Sequence, residues 1–128
     1  MTFSSSSSAV GFVLNNESRF LHLLKHHGES SMKKWGFIYT LGDPAAKAKT
    51  DTIGSAACML VCVGVPNVAD APQAALQLLA QEVQLIELCG AFSGAGLAAV
   101  VDAVKGRVPV GAVFYGGEAS TGLHKLFG

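Results

Sequence analysis

The chain is 128 residues long, half of them hydrophobic and 14% charged, with nine Lys and Arg balanced by nine Asp and Glu. That length sets one domain, the apolar fraction excludes an intrinsically disordered chain, and zero net charge leaves no long-range field to draw nucleic acid or an anionic membrane. Three cysteines without framework spacing exclude a disulfide-stapled secreted domain, and no apolar run approaches the roughly 20 residues of a membrane helix, so a cytoplasmic protein with no nucleic-acid or membrane partner is expected.

Residues 1–33 differ in composition from the rest and read as a flexible, Ser-rich leader ahead of a single α/β domain over residues 34–128. Ser4 to Ser8 is an unbroken serine run with no means of burying apolar surface. Arg19 to His27 is patterned as a short amphipathic helix ended by Gly28. His22 and His26 stand four residues apart, the spacing of two metal ligands on one helix face, but no third ligand lies near them and no metal site is assigned. Met32 sits two residues before the first convincing strand, so residues 1–31 also read as an upstream extension of a protein starting there.

Four apolar runs of strand length follow: Trp35 to Thr40, Cys58 to Val65, Val83 to Cys89 and Val108 to Tyr115. Each is rich in β-branched or aromatic residues and ends in a glycine-bearing loop. Their continuous apolar character is that of strands covered on both faces. Asp43-Pro44 predicts a weak helix over about 45–53. Asp70 and Pro72 open a stronger one over 71–82, with Ala71, Ala74, Ala75, Leu78 and Leu79 on one face. Ser93 caps a third over about 94–105, with a stripe of Leu97, Val100, Val101 and Val104 and a stop at Gly106. Residues 121–127 predict a last turn or two.

Strand starts near residues 34, 58, 83 and 108 leave about 25 residues for a strand, a crossover helix and two loops, which is the length of a βα unit. The expected fold is therefore α/β, four βα units around a mainly parallel four-stranded sheet, either a small doubly wound sheet or a half-barrel that hides its open face by dimerising. Right-handed crossovers put successive helices on the same face unless strand order reverses. A ferredoxin-like α+β fold is the alternative, disfavoured because no two strands read as joined without a helix.

In parallel α/β folds ligands bind beyond the carboxyl ends of the strands. Those ends here carry Tyr39 and Thr40, Asn67, Gly90, Ser93 and Gly94, then Tyr115 and Gly116, and they are the expected ligand-binding residues. Glu87 lies in the apolar run Val83 to Cys89, with Leu85 and Cys89 on its face by alternation. Burial there would raise its pKa and suit it to general acid or base work; the competing reading is a carboxylate that pins backbone N–H groups or pairs across a subunit boundary. Cys89 precedes a helix N-terminus that would activate a thiol, though a small apolar filler fits it as well. Glu87 and Cys89 are the candidate catalytic residues.

Cys58 and Cys62 read as core. Gly90, Gly94 and Gly96 make a glycine-rich helix entry able to hold an anion, but their spacing is neither a dinucleotide fingerprint nor a P-loop, and no cofactor is assigned. Tyr39 and Tyr115 are placed to line one pocket or to lie as lids over core, and His124 is either a residue reaching a neighbouring site or, the preferred reading, a solvated tail residue.

At Lys34 to Tyr39, Val83 to Gly90 and Val108 to Gly116 the chain resembles a family of small uncharacterised bacterial α/β proteins, a domain of unknown function. The resemblance covers about residues 33–118 and implies a domain beginning near Met32 with the leader foreign to the family. It implies no activity, cofactor or catalytic residue. The expected protein is a homo-oligomer binding a small anionic or carbonyl-bearing metabolite at the strand tips, with lyase- or isomerase-type proton transfer in which Glu87 is the base if it turns the ligand over. The alternative is a non-catalytic oligomerisation or regulatory module.

Overall fold

The computed structural model describes residues 31–128; the serine run, His22 and His26 lie outside them. The first strand, β1 (Lys34–Thr40), is followed by β2 (Lys49–Gly54) and β3 (Met59–Val65). Then come helix α1 (Ala71–Ala80), β4 (Ile86–Leu88), α2 (Gly94–Val104), β5 (Val110–Ala112) and α3 (Ser120–Phe127). The strands form one five-stranded sheet in the order β2-β3-β1-β4-β5. β3, β1, β4 and β5 run parallel, and β2 is antiparallel to β3. The α/β class and mostly parallel sheet expected from the four apolar runs are present.

The strand beyond the expected four is β2, which occupies the second half of the stretch expected to be a weak helix. Asp43 does not start a helix: its Oδ1 accepts the N–H of Ala45 at 2.9 Å and its backbone oxygen accepts that of Ala46 at 3.1 Å, closing a turn. Thr50, Thr52 and Ile53 are β-branched and prefer the extended ladder that follows. Every residue of β2 is exposed, as befits a sheet edge, so no apolar alternation marked it. Its joint to β3 is tight: Gly54 has φ +137°, and Ser55 N–H donates to the Cys58 oxygen at 3.0 Å. The link from β2 to β3 is thus a strand pair joined without a helix.

Both helices between parallel strands end where local chemistry stops them. α1 carries Pro72 in its first turn and buries Ala71, Ala74, Ala75 and Leu78. Asp70, expected to cap it, instead accepts the backbone N–H of Asn67 at 3.1 Å and its Nδ2 at 3.4 Å, fixing the turn ahead of the helix. In α2 the Ser93 hydroxyl accepts the N–H of Gly96 at 3.3 Å, a true N-cap. Lys105 and Gly106 adopt positive φ just past its end. Val100 and Val104 are buried, Leu97 packs against the core, and Val101 stands outside the stripe, half exposed.

The crossovers β3→β4 and β4→β5 step the same way across the sheet, so right-handed connections lay α1 and α2 on one face. There they cover Ile38, Val61, Val63, Val65, Ile86 and Leu88, which with Ala71, Ala74, Ala75, Leu78, Phe92, Val100 and Val104 make the core. The step from β1 to β3 runs the opposite way but contains β2 rather than a helix. Among the described residues, therefore, no helix covers the second face. It carries Trp35, Phe37 and Tyr39 of β1 and Leu60 and Cys62 of β3, all half-buried, beside the exposed Glu87. Cys58 and Cys62, expected in the core, fall on this face by alternation.

Candidate functional site at the strand tips

The carboxyl ends of the parallel strands lie along one edge of the sheet, with β4 and β5 stopping two residues short of β1 and β3. After β4 the residues Cys89 to Phe92 form a β-turn, closed by Phe92 N–H donating to the Cys89 oxygen at 3.1 Å. Cys89 N–H is itself tied to the Ile38 oxygen at 3.0 Å, which anchors the turn to β1. In such a turn the two central amides point away from the closing bond. Gly90 and Ala91 donate to no acceptor among the described residues.

Around this turn lies a cleft of about 700 Å³, lined by Thr40, Cys89, Gly90, Ala91 and Tyr115 and roofed by Leu123, His124 and Phe127 of α3. Tyr115 is held across Gly90: a Cβ at Gly90 would stand 2.6 Å from the Tyr115 Cε2. Helix α3 has no buried residue, and Phe127 is 82% exposed. The helix therefore rests on the cleft rather than sealing it. The polar groups available are the Thr40 and Tyr115 hydroxyls, the Cys89 thiol, the His124 imidazole and the turn amides.

Of the residues expected at the site, Thr40, Cys89, Gly90 and Tyr115 are brought together in the cleft lining. Tyr39 is not. Alternation turns it to the open sheet face, where its ring covers Gly64, whose Cβ position would lie 2.8 Å from Tyr39 Cζ. Asn67 is used by Asp70, and Ser93 by the cap of α2, with Gly94 beginning that helix. Gly116 opens the turn Gly117–Ala119, where a Cβ would collide with the Glu118 carboxylate. His124, read as a solvated tail residue, lines the cleft instead. No local signal in the sequence marked it, because its position depends on α3 folding back over the strand tips.

Glu87 sits between Phe37 and Gly111 on the open face, exposed, and does not line the cleft. In the single chain Glu87 is exposed because the strand is covered on one face only and alternation assigns it to the other. Cys62 lies in the same row, and burial followed by the negative charge of Asp51 pushes its thiol above the ordinary range. Asp51 in turn pairs with Lys49 at 3.1 Å and holds that ammonium above its usual value, chiefly by hydrogen bonding. Among the described residues no group of three or more His, Cys, Asp and Glu side chains gathers into a metal-ligand set, and no helix is long and apolar enough to cross a membrane.

Fold and site together define a small α/β domain with one helix-covered sheet face and a cleft at the strand carboxyl ends. The chain belongs to DUF6506, a family of unknown function, whose model matches residues 33–128. The match includes α3 and its contribution to the cleft. No curated protein and no solved structure matches the chain significantly.

Proposed function

We propose that this domain binds a small anionic or carbonyl-bearing metabolite in the strand-tip cleft. One observation carries the reading: two consecutive backbone amides, Gly90 and Ala91, have no acceptor among the described residues and lie in a lining that also holds His124 and two hydroxyls. Backbone donors fixed by a turn suit a carboxylate, phosphate or carbonyl oxygen, because they need no reorganisation to meet it. The largely apolar walls, from Ala91, Leu123 and Phe127, suit the carbon skeleton of a small ligand.

If the ligand is turned over, proton transfer belongs to a group in the cleft, and His124, which lines it, takes the role expected of Glu87, which does not. The amides of Gly90 and Ala91 would then stabilise negative charge developing on a carbonyl oxygen. A thermal-shift panel of keto acids, sugar phosphates and other small carboxylates tests the reading. A true ligand at a hundredfold excess over its dissociation constant stabilises the fold by about 2.7 kcal/mol, and His124→Ala should weaken that gain. No stabilisation across the panel favours the second reading, a non-catalytic oligomerisation module, which the apolar open sheet face supports.

A further inference from the structure

The strand registers arrange the open face in three rows. Ile53, Leu60 and Trp35 form one; Asp51, Cys62, Phe37, Glu87 and Gly111 the middle one; Lys49, Gly64 and Tyr39 the third. Leu85 extends the first row beyond Trp35, since the Gly36 N–H bonds its carbonyl at 2.9 Å and it alternates with Ile86. We infer that this face is the interface of a homodimer, in which a second copy packs sheet against sheet about a two-fold axis running along β1.

Three features point to a second copy. The first is size. With strands about 4.8 Å apart and about 3.3 Å per residue, the 26 residues of the five strands offer a flat footprint of about 400 Å², and side-chain relief brings this towards the roughly 800 Å² that a standard interface takes from each partner.

The second is self-complementarity, which an isologous contact requires. An axis along β1 exchanges β3 with β4 and β2 with β5 while keeping each row at its own height. The β1 aromatics then meet their own counterparts, and Leu60 faces Leu85 of the partner subunit. Glu87 faces Cys62 of the partner subunit, whose S–H is a weak donor able to meet the carboxylate. Asp51 faces Gly111 of the partner subunit, a position with open space where a side chain would be, so no two carboxylates meet.

The third is the guarded edge. β2, the exposed edge strand, carries the Lys49–Asp51 ion pair at the margin of this face, and charges on an edge strand discourage strand-to-strand addition. The dimer does not depend on the ligand of the cleft, which opens at the strand tips.

Sedimentation velocity of the full chain over a wide concentration range tests the inference, together with emission from Trp35, the only tryptophan. The expected result is a species of twice the chain mass whose emission shifts to the red as dilution dissociates it. Phe37→Lys should halve the mass and shift the emission while leaving the far-ultraviolet circular dichroism unchanged. Leu60→Glu provides the same test should the first variant fail to fold. A monomer at every concentration overturns the inference, and one with blue-shifted Trp35 emission assigns the face to another segment of the same chain. A dimer that persists in the folded variants also overturns it. Ligand-induced thermal shifts should survive in Phe37→Lys, which separates failure of this interface from failure of the cleft.

Discussion

Gly90 and Glu87 lie three residues apart and have opposite relations to the cleft. Gly90 lies under the Tyr115 ring and next to a free amide; its φ is not in the left-handed region, so an alanine there meets no backbone penalty. Gly90→Ala should therefore fold normally, within about 0.5 kcal/mol of the parent as for most surface substitutions, but push the Tyr115 ring aside. Any ligand-induced rise in melting temperature should fall, whereas Glu87→Gln should leave it intact because Glu87 does not line the cleft. An unchanged ligand response in Gly90→Ala would separate Tyr115 from the site. Of the two, the apolar run drew attention to Glu87, because alternation assigns a side chain to a face without saying whether that face is covered.

At the scale of elements, β1 and α1 meet closely at a glycine. Gly36 faces the helices, and a Cβ there would stand 2.7 Å from Leu78 Cδ1, with Leu78 wholly buried. Gly36→Ala should cost about 1–3 kcal/mol, the usual penalty of an overfilled core; urea denaturation measures it, and an unchanged midpoint would mean that α1 is free to shift. Helices α1 and α2 and the four parallel strands were legible because each buries one side, and burial writes periodicity into sequence. β2 was not, since an edge strand exposed along its length needs no apolar alternation, and Asp43-Pro44 mimics a helix start. The capping hydroxyl of Ser93 was readable and took up a residue that was also a site candidate. One local bond thus identified the start of α2 and removed Ser93 from the cleft.

For the whole molecule, strand order decides what each surface does. Order β2-β3-β1-β4-β5 sends both helical crossovers the same way, which builds one complete core and leaves a sheet of aromatic residues on the other side. Sequence patterning located the strand tips and four of the cleft residues, Thr40, Cys89, Gly90 and Tyr115, from chain order alone. It missed His124 because the return of α3 across the tips is a long-range event with no repeat or spacing to betray it. The same limit hid the open face, whose half-buried residues look in sequence like those of a strand covered twice.

The central claim, that the strand-tip turn receives an oxygen-bearing ligand, is tested most directly by ¹H–¹⁵N correlation spectra recorded while a hit from the carboxylate and phosphate panel is titrated in. The Gly90 and Ala91 amide protons should move downfield with the ligand, as expected for donors that gain an acceptor, and His124 should shift with them. A ligand that perturbs resonances elsewhere and leaves those two amides in place would contradict the account.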